Sequence, residues 1–336
     1  MDTPTGPVTK MEVLKVEGLS VYFGERALQS LGRSESQPAI KVVSAVDFEV
    51  GASEVFGIVG ESGCGKSITA YAIMSILPDG AFYEGDIHFQ GKNMSALTAE
   101  QRRQLRGNRI SMIFQEPMTS LNPVLTVGYQ IAEVLTTHKA ISRREARDRA
   151  IELLAAVKIP SAKDRVNDYP HQLSGGMRQR VMIAMAVACD PALVIADEPT
   201  TALDVTIQAQ ILHLLHGIKQ EKDMSMILIT HDLGIIAEHT TRVMVMYAGR
   251  IMELSSTPEL FKSPLHPYTR GLIDSLPRGR GIALRPIPGF VPRPDNLPDG
   301  CKFSDRCAQV TKECREAEPT LRELASGHLV RCIWVS

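Results

Sequence analysis

Residues 60–67 read GESGCGKS, which fits the string G-x-x-x-x-G-K-[ST], and those residue types in that order suit a phosphate. The glycines let backbone N–H groups curl round phosphate oxygens, Lys66 brings a point charge, and Ser67 offers a hydroxyl to Mg²⁺. Two adjacent carboxylates, Asp197 and Glu198, close the apolar run that starts at Leu193. Beside a phosphate loop such a pair divides its work: Asp197 holds Mg²⁺, often through water, and Glu198 polarises an attacking water. A third apolar run, Met226 to Thr230, ends in His231. A lone histidine is more often structural than catalytic, so its position has to decide its role.

The segments around these residues supply that position. Val42 to Val50 alternates apolar and polar residues, as a half-buried strand does, and Val55 to Val59 runs apolar into the first glycine of the loop. Leu193 to Ala196, Met226 to Ile229 and Val243 to Tyr247 are further short apolar runs, and helical patterns such as Ile68 to Ile76 and Ile207 to Gln220 alternate with them. That alternation predicts an α/β domain with a largely parallel sheet. Open α/β sheets bind ligands outside the carboxyl ends of their strands, so the loop, the carboxylate pair and His231 are expected at one edge.

Bulk properties bound the rest. With 336 residues, 44% of them hydrophobic, the chain can bury one large core and a smaller annex, since domains usually run to about 100 to 200 residues. Its 37 Lys and Arg against 38 Asp and Glu leave a net charge of -1, so no global field draws in nucleic acid or an anionic bilayer. Arg102, Arg103, Arg106 and Arg109, and later Arg143, Arg144, Arg147 and Arg149, are read as solvated helical faces. The longest apolar stretch, Val181 to Ala196, is broken by Asp190-Pro191, whereas a membrane span needs about 20 apolar residues. The opening MDTPTGPVTK lacks the pattern of a secretory signal, which makes the cytoplasm the expected address and disulfides unexpected. Between about 116 and 188 Arg-rich helical patterns, such as Ser142 to Val157, replace the strands. After about Pro258 proline and glycine become dense, so the regular domain is expected over 11–258 and an irregular annex over 259–336. The polar segment 24–41 reads as a surface hairpin loop with no chemistry.

Residues 173–180, LSGGMRQR, resemble the signature motif of ABC ATPases and lie shortly before the Asp197-Glu198 strand, as that family requires. Physically, Ser174, Gly175 and Gly176 open a helix whose amides and dipole suit an anion, although Ser174 would also make an ordinary helix cap. The resemblance extends to Gln115 in MIFQEP, which matches a Mg²⁺-contacting glutamine. It includes Asp204 in TTALD, matching the loop by which two subunits sense each other, and His231, matching a γ-phosphate contact. Phe23 aligns with the aromatic that stacks on adenine, with Tyr22 as its neighbour. It implies a RecA-like P-loop NTPase core with an antiparallel β subdomain, a helical insert and a dimer sandwiching two ATP. Each ATP would lie between one subunit's Gly60, Glu61, Ser62, Gly63, Cys64, Gly65, Lys66, Ser67 and Thr69 and the partner's Ser174, Gly175 and Gly176. Ser67, Gln115 and Asp197 would hold Mg²⁺, and Glu198, Gln115 and His231 would form the catalytic group. Cys64, at a helix N-terminus, is expected to have a lowered thiol pKa and to react with alkylators unless ATP protects it, the alternative being a small residue that merely fits.

HPYTRGLIDSLPR (266–278), IPGFVP, GCKFSDRC and the earlier EPMTSLNP resemble the oligopeptide, dipeptide and nickel subfamily of ABC importers. That likeness implies a peptide importer subunit on the cytoplasmic face of the inner membrane. Its partners would be two permeases, a second identical or homologous ATPase and an extracytoplasmic binding protein, with no nucleic acid. Import of nickel or another small solute is the alternative, and a soluble ABC ATPase outside transport the next. Cys301, Cys307, Cys314 and Cys332 lack the paired spacing of common zinc sites, yet four thiols in a small Pro-rich segment suggest a metal staple. The resemblance implies a four-iron, four-sulfur cluster there, with zinc or free thiols as the alternatives.

Overall fold

In the computed structural model, residues 12–24, 39–201, 203–276, 286–325 and 327–335 are described. The N-terminal MDTPTGPVTK and positions 25–38 of the polar loop lie outside the described residues. The alternating segment belongs to a four-stranded antiparallel sheet of β1 (Glu12–Phe23), β2 (Ile40–Gly51), β4 (Ala81–Phe89) and β5 (Lys92–Asn93), in the order β2-β1-β4-β5. Val46, Phe48 and Val50 of β2 are buried and alternate with exposed residues as expected, but the step back to buried Val43 is three residues, because Ala45 takes left-handed backbone, φ +46°, and shifts the register.

The continuous apolar runs build the second sheet. It contains β3 (Val55–Val59), β6 (Ile110–Ile113), β7 (Leu193–Asp197), β8 (Ser225–Thr230), β9 (Arg242–Tyr247), β10 (Arg250–Ser256), β11 (Arg322–Ala325) and β12 (His328–Val330). The order is β11-β12-β10-β9-β3-β8-β7-β6, with β6, β7, β8, β3 and β9 parallel and β10, β12 and β11 antiparallel. Every residue of β3, β7 and β8 is buried, which explains why these strands read as unbroken apolar runs: helices or sheet cover both their faces.

Register then sets the site. Val59 pairs with Thr230, Ile58 with Ile229, and Asp197 with Ile229, so β3, β8 and β7 end side by side. Helix α1 (Lys66–Met74) leaves the end of β3. Among the described residues no strand lies between Ile113 and Leu193. That stretch carries α2 (Val127–His138), α3 (Arg143–Ala156) and α4 (Gly175–Val187), each begun by a hydroxyl cap from Thr126, Ser142 or Ser174. Helix α5 (Val205–Glu221) follows β7 and is capped by Asp204.

The annex is tied into the main sheet despite its proline content. Strand β12 pairs with β10, and the Arg331 N–H donates to the Met252 carbonyl at 2.8 Å. The Glu253 carboxylate is fully buried and accepts from the N–H groups of Leu265 and His266 and contacts His328 Nε2 at 2.8 Å. Tyr247 of β9 meets Tyr268 of α6 (Pro267–Asp274) and Phe303 edge-to-face, and Tyr268 and Phe303 are tilted against each other, with centroids 4.8 to 5.3 Å apart in a core shared with Val59.

Candidate nucleotide site

Residues 60–65 fold as a tight loop because its glycines go where other residues cannot. A Cβ at Gly60 would stand 2.2 Å from the Met246 carbonyl oxygen, and Gly65 caps α1 with φ at +104°. The Lys66 ammonium reaches back across the loop, donating to the carbonyls of Gly60 at 2.8 Å and Glu61 at 3.1 Å. Thr69 is fully buried and donates to the Gly65 carbonyl at 2.8 Å, which fixes the loop-to-helix joint. Ser62 and Gly63 form the exposed crown of the loop. Cys64 departs from its expectation: its side chain faces inward with no exposure, and burial raises the thiol pKa above its ordinary value, outweighing the nearby Lys66 charge. Burial thus runs against the expected lowered pKa and favours the alternative of a small residue that fits.

Strand β7 brings its carboxylates to the same edge. Ser67 Oγ donates to Asp197 Oδ1 at 3.1 Å, while Asp197 Oδ2 is buried without a partner. Burial pushes the Asp197 pKa up to about 6, with the neighbouring Glu198 charge adding and the Ser67 bond and Lys66 opposing. A hydroxyl and a carboxylate with a free buried oxygen form an all-oxygen donor pair of the sort a hard divalent cation takes, so these residues fit Mg²⁺.

Glu198 sits in left-handed backbone, φ +45°, with its N–H donating to the Ile229 carbonyl at 2.9 Å. That turn aims its carboxylate at three groups. Gln115 Nε2 donates to Oε2 at 3.1 Å, Thr201 Oγ1 donates to it at 2.9 Å, and His231 Nδ1 lies 3.3 Å away. Thus Gln115, Glu198 and His231, spread over 116 positions of sequence, meet at one oxygen. Thr201, within TTALD, joins the site without any role that its motif assigns; its one signal in the sequence is a hydroxyl three residues after the carboxylate.

The signature segment begins α4, with Ser174 accepting from the Met177 N–H at 3.4 Å and the Ser174-Gly175 end exposed. Its neighbours are Leu203 beside Gly175 and Ile207 beside Gly176, so it lies against the start of α5 and the Asp204 cap. Phe23 is half-buried at the end of β1, between Ile40 and Ala81, while the adjacent Tyr22 ring stacks on Phe82 at 5.0 Å.

Two annex residues reach the loop as well, and their sequence gave no hint of it. Arg306 forms a two-armed ion pair with the Glu61 carboxylate at 2.6 and 3.0 Å, and the Glu61 N–H donates to Tyr268 Oη at 3.0 Å. The four annex cysteines line one small cavity beside His266 and Trp334, and burial raises the thiol pKa of Cys301 to about 11 and those of Cys307 and Cys332 also upward. Among the described residues, however, no group of three or more His, Cys, Asp or Glu side chains stands where it could hold a metal ion, so the expected iron–sulfur cluster is not supported by the side-chain arrangement.

Residues 43–201 match the ABC transporter family and residues 252–314 match the oligopeptide/dipeptide transporter C-terminal region. The chain is 52% identical over 297 residues to a probable peptide ABC transporter ATP-binding protein of Sinorhizobium fredii, covering 87% of this chain and 89% of that protein. It is 48% identical to an oligopeptide transport ATP-binding protein of Bacillus subtilis, over 95% of this chain and 96% of the relative. A dipeptide transport ATP-binding protein of Escherichia coli is 46% identical, with 96% of each chain covered. Among solved structures, a dimeric ATP-binding cassette in a post-hydrolysis state with ADP and Pi superposes with a TM-score of 0.62 at 26% identity, covering 73% of this chain and 98% of the cassette.

Proposed function

The chain belongs to the ATP-binding subunits of ABC transporters, and on that premise we propose the residue roles by which it hydrolyses ATP to drive peptide import. The observation that carries the roles is the meeting of Gln115, Thr201 and His231 on one oxygen of Glu198, next to the Ser67–Asp197 pair. Glu198 accepts the proton of the attacking water, Gln115 and Thr201 hold its carboxylate in place, and His231 faces the transferred phosphoryl group. Lys66 and the amides of 60–65 bind the phosphates. Ser67, Asp197 and Gln115 would hold Mg²⁺, which when bound neutralises charge on the phosphates.

The Ser174-Gly175-Gly176 end, exposed at its first two residues, is read as the half-site offered to a second ATPase subunit, with Phe23 beside adenine. Residues 11–258 form the motor and 259–336 the peptide-type extension. Among the described residues no helix is long and apolar enough to cross a membrane. Membrane permeases therefore supply the path, with the chain docked on their cytoplasmic face and a binding protein delivering the peptide outside. A four-iron, four-sulfur cluster is a separate proposal resting on the resemblance alone; it requires the four thiols to close on one point, which their present arrangement does not do. Iron and sulfide analysis of anaerobically purified protein tests it, and absence of both ends it.

The test of the catalytic reading is Glu198→Gln in the assembled transporter. Mg²⁺-ATP binding is expected to persist while turnover falls by about 10²-fold or more, the loss that follows removal of a positioned base. Turnover within a few-fold of the parent overturns the assignment.

A further inference from the structure

Glu61, the second residue of the phosphate loop, is held from every side. Its carbonyl accepts from Lys66 Nζ and from the Cys64 N–H at 3.3 Å, which are contacts within the loop. Its N–H and its carboxylate, by contrast, are held by Tyr268 and Arg306, which lie 207 and 245 residues further along the chain. The Arg306 side chain is only 4% exposed, whereas that of Glu61 is 32% exposed. Arg306 is itself fixed: its Nε donates to the carbonyl of Pro288 in the annex at 2.8 Å, and its guanidinium lies 5.6 Å over the Tyr247 ring of β9. A planar fork anchored on one side and bonded twice to a carboxylate on the other sets orientation as well as distance.

The annex does not need this pair to stay attached. Strand β12 in the sheet, the buried Glu253 contacts and the Tyr247–Tyr268–Phe303 trio already secure it. The pair therefore acts chiefly on the more exposed partner, the loop. We propose that Arg306 and Tyr268 are positioning residues for ATP binding: by gripping the side chain and N–H of Glu61, the C-terminal annex sets the shape of the phosphate loop. The physical benefit is preorganisation, because a loop already held in one shape loses less conformational freedom when phosphates arrive.

The test measures equilibrium binding of a non-hydrolysable ATP analogue with Mg²⁺ to the full chain, together with thermal stability, for Arg306→Ala, Arg306→Lys, Tyr268→Phe, Glu61→Gln and the Glu61→Gln/Arg306→Ala double variant. Arg306→Ala and Glu61→Gln are each expected to weaken the analogue about tenfold, Arg306→Lys and Tyr268→Phe less. The double variant should be no weaker than Arg306→Ala, since both changes break one interaction. Affinity within twofold of the parent in Arg306→Ala and Glu61→Gln, whatever happens to thermal stability, overturns the proposal. Fully multiplicative losses in the double variant do the same. If Arg306→Ala fails to fold, Arg306→Lys and Glu61→Gln carry the test by the same criterion. The proposal rests on 60–67 being the nucleotide loop. Lys66→Ala is its separate control, and unchanged analogue binding in that variant removes the premise and the proposal together.

Discussion

Asp197→Asn is expected to abolish a pH-dependent loss of stability in the nucleotide-free chain. The parent carboxyl titrates near 3.8 when unfolded and, through burial, at about 6 when folded. Between those values the native state holds more proton than the unfolded state, so stability falls as pH rises. The contribution is fully present below 3.8 and is lost as pH passes through 6. Linkage with those two values makes the loss between pH 5 and pH 7.5 about 1.4 kcal/mol. Asparagine is neutral throughout and still offers its Oδ1 to the Ser67 hydroxyl, so the variant lacks this slope. The assay is urea unfolding of both proteins, followed by far-UV circular dichroism, at half-unit steps over that range. Taking the difference between the two proteins cancels the titration of groups that do not interact with residue 197. The parent should lose about 1.4 kcal/mol relative to the variant as pH rises. Adding Mg²⁺-ATP at pH 7.5 should reverse the order, because a bound cation favours the charged carboxylate and stabilises only the state that binds it. A difference that stays flat across the range refutes the burial argument, as does a parent that gains on the variant without Mg²⁺.

Other outcomes follow from particular contacts. Gly60→Ala forces a Cβ to within 2.2 Å of the Met246 carbonyl and 2.7 Å of Cys64 Sγ, so analogue binding should fall and stability should drop by about 1 to 3 kcal/mol, as overpacking does, measured by calorimetry and denaturant unfolding. Glu253→Ala leaves His328 and two annex N–H groups without their buried acceptor and should cost about 3 to 5 kcal/mol, read as an earlier denaturant transition with weakened annex. Cys64, buried with a raised thiol pKa, should resist a small alkylator at pH 7.5 in the folded chain and react once denatured, as peptide mass mapping would show. Thr201→Ala removes one of two donors to Glu198 Oε2 and should lower turnover several-fold while leaving analogue affinity near the parent's, separated by kcat against KM.

Local strings and the period of apolar residues carried most of the catalytic edge. GESGCGKS needs only its own backbone to form a phosphate cradle, and an unbroken apolar run ending in Asp197-Glu198 or His231 marks a strand buried on both faces with its functional residue at the carboxyl end. What the strings cannot carry is adjacency across the sheet. That β8 lies between β3 and β7, so that three strand ends meet, follows from packing many elements at once. The inward turn of Cys64 belongs to the same class, since a helix N-terminus lowers a thiol pKa only while solvent remains near, and here burial wins. So does the annex cavity, where cysteines distant in sequence gather without reaching a metal-holding geometry among the described residues.

Glu61 shows the division most clearly. Its place in the loop is legible from seven neighbouring letters, because the loop's shape comes from local backbone freedom. Its partners Tyr268 and Arg306 are not, because hydrogen-bond and ion-pair geometry depends on where β9, α6 and the annex come to rest beside β3. The chemistry of the site is written in local motifs, whereas the packing of distant segments chooses which side chains hold that chemistry in place.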